Sequence, residues 1–248
     1  MTNTTSGHDS TSRPGPGGLG TVLVSGGASG LGAAVVRAVH DNGGRALVLD
    51  KAAPPHEIAD LVTDFAPVDL ADTRAAEQAV TDLAERHGGL TGVVTAAGID
   101  RCGTLAEVPA TEWETVVAVN LLGTAAVVRA ALPHLTRSHG RVVTVASTLG
   151  VRAVSDATAY CAAKFGVVGF TRALAAETAG QVGVTLLIPG GMRTHFFDDR
   201  PEQYRPATLD KLNPPGHVAD AVVFALRQPA GCELRELVIC HEEEPSWP

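Results

Sequence analysis

The chain has 248 residues, 45 % hydrophobic and 19 % charged, which is enough for a sizeable α/β core and excludes wholesale disorder. Its 27 glycines follow no three-residue period, so a collagen-like chain is excluded. Nineteen basic against 27 acidic residues leave a formal charge of −8, a poor match to nucleic acid or an anionic membrane.

Residues 1–18 are mostly Thr, Ser, Gly and Pro and read as a flexible tail without the apolar stretch of a secretory signal. Residues 19–248 read as one domain, since no composition break interrupts them. Thr21–Val24 is a short β-branched strand, followed by a glycine-rich turn. Leu31 to Asn42 has apolar residues at helical spacing and closes at Gly43-Gly44. Arg45–Asp50 is a second strand, completing a β-α-β unit of roughly 30 residues. The segment after it holds Pro54-Pro55, so any helix there is expected to be small. Asp64–Val68 reads as a strand, and Asp72 as the N-cap of a helix reaching about His87. Gly92–Ala96 is a strand. Pro109 to about Arg137 is a long helical stretch that Pro133 ends or kinks. Strand Arg141–Ala146, helix Thr158–Thr178 and strand Gly183–Ile188 follow. The long polar loop Gly190–Pro214 has the length of a lid. Helix Pro215–Arg227 and strand Glu236–Cys240 close the pattern. The strands' apolar residues run together instead of alternating with polar ones, so both faces are expected to be buried. That predicts a doubly wound α/β fold with a seven-stranded parallel sheet and helices on both faces. No run of about 18 apolar residues marks a membrane span. Cys102, Cys161, Cys232 and Cys240 form no CxxC pair and read as reduced thiols of a cytoplasmic protein; no metal site is expected.

Gly26, Gly30 and Gly32 lie between the first strand and the first helix. Glycine there allows a tight turn and close approach of backbone amides to a ligand. The helix N-terminus then offers free N–H groups and partial positive charge to a pyrophosphate. Asp50 ends the second strand, at about the fingerprint distance for a carboxylate on the adenosine ribose. A carboxylate there repels a 2′-phosphate, so NAD(H) is favoured and NADP(H) remains possible. Lys51, next to it, would soften that preference.

The spacing Gly-x3-Gly-x-Gly and the pair Tyr160-x3-Lys164 resemble the short-chain dehydrogenase/reductase family. The resemblance runs over nearly all of residues 20–240. It takes in Ser25 to Gly32, Ala96-Ala97-Gly98, Val119-Asn120, Ser147, Tyr160 to Lys164 and Pro189-Gly190, in family order. It implies a Rossmann-type domain and a catalytic tetrad of Asn120, Ser147, Tyr160 and Lys164. Residues four apart on a helix share a face, which would aim Tyr160 and Lys164 at one substrate. A nearby ammonium is expected to lower the phenol pKa and make Tyr160 a general acid/base. Ser147 would hold the substrate oxygen. The resemblance gives Lys164 the nicotinamide ribose and Asn120 a water in a proton relay. It places the cofactor against Gly26, Ser29, Gly30, Leu31, Gly32, Asp50, Asp69, Leu70, Ala97, Gly98, Tyr160, Lys164, Pro189, Gly190 and Thr194.

Two departures stand out. Thr95-Ala96 replaces a usual Asn-Asn, which puts cofactor affinity in question. Glu242 to Pro248 replaces the usual Asp-Gly-Gly close and is expected to pack on a neighbouring subunit or to fray. Arg101, Arg152 and Arg193 follow strands and are candidates for an anionic substrate group, though solvated arginines are the commoner case. Cys161 reads as a small buried residue, and His195 as a loop residue near substrate. The expected activity is hydride transfer between NAD(H) and a secondary alcohol or ketone in a homotetramer or homodimer. The alternatives are an NADPH-dependent biosynthetic ketoreductase acting on a polyketide or acyl thioester, a lyase or isomerase on the same scaffold, or a non-catalytic nucleotide-binding regulator.

Overall fold

The computed structural model describes residues 18–247. The tail expected over residues 1–18 lies outside them except for its last residue.

Seven strands form one parallel sheet in the order β3-β2-β1-β4-β5-β6-β7. They are β1 Thr21–Ser25, β2 Arg45–Asp50, β3 Val62–Pro67, β4 Gly92–Thr95, β5 Arg141–Val145, β6 Gly183–Pro189 and β7 Glu236–Ile239. The helices are α1 Gly30–Asp41, α2 His56–Ala59, α3 Thr73–Arg86, α4 Ala110–Val117, α5 Thr124–Ser138, α6 Thr158–Glu177 and α7 Pro215–Leu226. Successive strand residues point to opposite faces, and both faces are apolar. Leu23, Leu47, Val93 and Val142 pack with α3 and α5 on one side. Val22, Val24, Val48 and Val143 pack with α1 and α7 on the other. The interiors of β1, β2, β4, β5 and β6 are therefore buried, as their continuous apolar runs required, while the edge strands β3 and β7 stay partly exposed.

The chain reverses its winding between β1 and β4, which are neighbours although β2 and β3 separate them in sequence. The loops leaving the two strands part there and open a crevice at the carboxyl edge of the sheet. β3 starts two residues earlier than its apolar pattern suggested, and α2 is a single turn. The Asp72 side chain caps α3 by accepting from the Arg74 and Ala75 N–H groups, as its position predicted.

Between α4 and α5 the chain makes a six-residue π-helical turn, Ala118–Gly123, so helical backbone runs unbroken from Ala110 to Ser138. That stretch is long and apolar enough to cross a bilayer by length and composition. Its Val116, Val127, Val128, Ala131 and Leu135 are buried against the rest of the protein. Pro133 does not end the helix: it lies inside α5, whose next turn is held by buried Leu135.

Candidate active site

Gly26 ends β1 with φ +71°. A Cβ there would lie 2.5 Å from Ala97 Cα, so this turn and the loop after β4 touch backbone to backbone. At Gly32 a Cβ would lie 1.9 Å from the Gly26 carbonyl oxygen, so α1 begins directly against the turn. Ser29, the N-cap of α1, makes no side-chain cap, which leaves the first amides of the helix open to a ligand. Buried Leu31 pins that end of the helix to the core.

Asp50 closes β2 beside this cradle. Its carboxylate accepts from Ala28 N–H at 2.9 Å and from Ala52 N–H at 3.1 Å. One carboxylate thus braces the glycine turn and still has acceptor capacity toward the cleft. Lys51 also lines the cleft, with its exposed ammonium paired to Asp69 at 2.9 Å. The Ala71 backbone N–H and then Lys51 hold the Asp69 carboxyl below its usual range. Leu70 is buried and packs under Gly123 of the π turn.

A cleft of about 900 Å³ runs from this cradle across the ends of β1, β4, β5 and β6. Ser147, just past β5, and Tyr160 and Lys164, one turn apart on α6, line its floor. Ser147 caps the turn Thr148–Gly150 by accepting from Leu149 N–H at 3.1 Å. Lys164 is 4 % exposed and donates to the Val145 carbonyl at 2.9 Å. Its ammonium sits 5.6 Å from the Tyr160 ring centre. Burial lowers its pKa to about 8.

The expected lowering of the Tyr160 pKa is not what the protein alone shows. Burial pushes the phenol up, and the Ser147 hydroxyl only partly opposes it. Desolvation outweighs the neighbouring charge, because the phenol lies inside the apolar cluster of Val116, Ala159 and Cys161. Cys161 is buried there as a small residue.

Asn120 is fully buried in the π turn and does not face open cleft. Its Oδ1 accepts from Ile99 N–H and its Nδ2 donates to Ile99 O, both at 2.8 Å. It grips the backbone after Gly98, where a Cβ would meet both Asn120 Oδ1 at 3.5 Å and Lys164 Nζ at 3.6 Å. Where the usual two asparagines are missing, the Ser25 and Thr95 hydroxyls are paired neighbours at the strand ends. Both are buried without a partner.

The lid begins at Pro189-Gly190. Thr194 closes on the cradle, with its Cβ 3.5 Å from where a Gly30 Cβ would be. Phe196 packs on Tyr160 with ring centres 5.7 Å apart. His195 lines the mouth of the cleft, 88 % exposed and paired with Asp198.

In the carboxyl-terminal segment, expected on a neighbouring subunit or frayed, Glu244 and Ser246 bond to their own chain. Glu244 Oε2 accepts from Gly191 N–H at 2.9 Å, and Ser246 shares a 2.7 Å hydrogen bond with Thr148. Glu244, Pro245 and Ser246 line the cleft. Long-range contacts of this kind leave no periodicity in a sequence, so nothing local pointed to them. Of the arginine candidates, Arg101 lines the cleft and makes an exposed pair with Glu112, while Arg152 donates to Pro245 O. Arg193 does not line the cleft. Arg200, which the sequence did not single out, does.

A model of the short chain dehydrogenase family matches residues 20–205. The chain belongs to that family. Among relatives of this short-chain dehydrogenase is the L-fucose dehydrogenase of Mus musculus, 31 % identical over 88 % of this chain and 86 % of that protein. The D-beta-hydroxybutyrate dehydrogenase of Cupriavidus necator is 31 % identical over 85 % and 84 %. Levodione reductase shares the fold with a TM-score of 0.81 at 24 % identity, covering 92 % of this chain and 98 % of that one. An alcohol dehydrogenase from Thermococcus sibiricus, complexed with 5-hydroxy-NADP, gives 0.80 at 24 %, covering 90 % and 97 %. The family is one of oxidoreductases, so the short-chain dehydrogenase assignment fits a site built around one phenol, one ammonium and one hydroxyl.

Proposed function

We propose that this chain interconverts a secondary alcohol and a ketone with NAD(H). The observation that carries the reading is the meeting of Ser147, Tyr160 and Lys164 at the floor of a cleft whose other end is a glycine cradle. The cradle fits a dinucleotide: side chains are sterically barred from it, and unpaired helix amides face it. When bound, the nicotinamide gives or accepts the hydride. Gly26, Ser29, Gly30, Leu31 and Gly32 would hold the pyrophosphate, with Gly98, Pro189, Gly190 and Thr194 along the cleft. Asp50 would accept from the adenosine ribose, and its charge disfavours a 2′-phosphate. Asp69, Leu70 and Ala97 would flank the adenine side.

Tyr160 exchanges the proton with the substrate oxygen, and Ser147 hydrogen-bonds the same oxygen and orients it. Because burial holds the phenol protonated through neutral pH, the protein alone is poised to donate, which is what ketone reduction requires. Lys164, on the same helix face, binds ribose and supplies positive charge. Asn120 holds the loop after β4 through Ile99. Exposed Leu122 and Phe165, on the long helices, support a homodimer or homotetramer, and the four free thiols suit a cytoplasmic setting.

Binding of NADH against NADPH, followed by turnover of a ketone and alcohol panel at the nicotinamide absorbance, tests this. Tyr160→Phe is expected to keep NADH binding and lose activity by roughly 10²–10⁴-fold. NADPH preference would overturn the Asp50 argument and favour the biosynthetic ketoreductase. Cofactor binding without turnover of any alcohol or ketone would favour a regulator.

A further inference from the structure

Arg200 reaches the cleft from the lid and has no part in the chemistry proposed above. Its side chain is 17 % exposed. The guanidinium lies 5.0 Å from the Phe196 ring centre and 4.7 Å from that of Phe197. Phe196 in turn packs on Tyr160. The arginine is therefore fixed one aromatic side chain away from the reacting hydroxyl.

Its hydrogen bonding is incomplete. Nη2 donates to Asp100 Oδ2 at 2.7 Å. Nη1 has only a long 3.4 Å contact to Tyr204 O, and Nε is buried without a partner. Asp100 is 3 % exposed and cannot serve the whole fork. Its Oδ1 accepts from Arg101 N–H at 2.7 Å, and Oδ2 also takes the Cys102 thiol at 3.3 Å. A planar guanidinium oriented by one carboxylate and stacked on aromatic faces is pre-ordered at low entropic cost. Its Nη1 amino group, held only by the long contact to Tyr204 O, keeps N–H capacity for an oxygen of a second carboxylate. The walls nearby are apolar, with Ile99, Leu149 and the two phenylalanines, and weak screening there strengthens a charged contact.

We infer that Arg200, held by Asp100 and stacked on Phe196 and Phe197, is a specificity-determining residue, and that the substrate is an oxo or hydroxy acid whose carboxylate it receives. This rests on the dehydrogenase reading above. Arg200 stacks on Phe196 and Phe196 on Tyr160, so a carboxylate bound by Arg200 would lie across that ring from the reacting residue. The competing account is a lid latch: Asp100 belongs to the loop after β4 and Arg200 to the lid, so the pair also ties the two together.

The test uses matched probes in the full-length enzyme. 2-Oxo, 3-oxo and 4-oxo carboxylates are each compared with their methyl esters, using NADH or whichever nicotinamide the enzyme accepts. In at least one pair the acid is expected to be favoured at least tenfold in kcat/KM. Arg200→Met should bring the acid-to-ester ratio of kcat/KM down to about one. Arg200→Lys should restore part of the preference. Ester turnover equal to or above acid turnover in every pair would overturn the inference. So would an Arg200→Met variant that loses acid and ester alike, since that is the behaviour of a latch. Turnover of neutral ketones alone would refute the carboxylate while leaving the dehydrogenase reading intact. Turnover of no ketone at all would refute both.

Discussion

Lys164 is a buried ammonium that costs the fold stability, and replacing it with methionine measures that cost. Its ammonium is buried, and its pKa falls from 10.5 to about 8. The folded value lies below the unfolded one, so the unfolded chain binds more protons between these limits and stability rises with pH across them. Below about pH 8 the penalty is fully present, on the order of 3 kcal/mol; above about pH 10.5 it is gone. Lys164→Met removes the penalty but leaves the Val145 carbonyl without its 2.9 Å donor, a loss of about 1–3 kcal/mol that does not depend on pH. The variant is expected to be as stable as the wild type or up to about 2 kcal/mol more stable at pH 7, and to become the less stable protein near pH 10.5. Urea unfolding of both proteins at pH 7, 8, 9 and 10 gives the difference directly, since the titration of all other groups cancels. The gap should change by about 2.5 kcal/mol over that range. A gap that stays constant with pH would refute the argument that the lysine is folded as a desolvated cation. Activity should be lost at every pH, since the variant has no charge to place beside Tyr160.

Gly32→Ala should abolish cofactor binding or folding, because its Cβ would fall 1.9 Å from a backbone oxygen that cannot move aside; dinucleotide titration and circular dichroism separate the two outcomes. Asp50→Ala should relax discrimination against NADPH by at least tenfold, and should lower Tm because the Ala28 and Ala52 amides lose their acceptor. Glu244→Ala should free Gly191 N–H and Ser246 and loosen the start of the lid. The expected readout is a raised KM for cofactor and substrate with the unfolding transition nearly unchanged; an unchanged KM would show that the tail only covers the cleft.

The fold and much of the cleft were legible because they depend on local rules. Continuous apolar runs such as Thr21–Val24 and Arg141–Val145 announce strands buried on both faces, and glycines at 26, 30 and 32 announce a turn that admits no side chain. The Tyr160 to Lys164 spacing places two groups on one helix face before any packing is known. Pro133 left the helix to end or kink there, and the packed protein carries it on to Ser138, with Leu135 buried in the next turn. The sign of the Tyr160 shift also needed the packed protein, since desolvation depends on what surrounds the ring and not on which charges stand nearby in sequence.

What the sequence determined alone is therefore the set of elements, their layering and the cradle, all of which arise from interactions within a few residues. Only the tertiary structure decided that Asn120 grips Ile99 through a π turn, that Lys51 is taken up by Asp69, that Glu244 anchors the lid, and that Arg200 rests on Asp100. These contacts join residues 18 to 100 positions apart. No periodicity records such a pairing, because it depends on how the loops at the carboxyl edge of the sheet fold over one another.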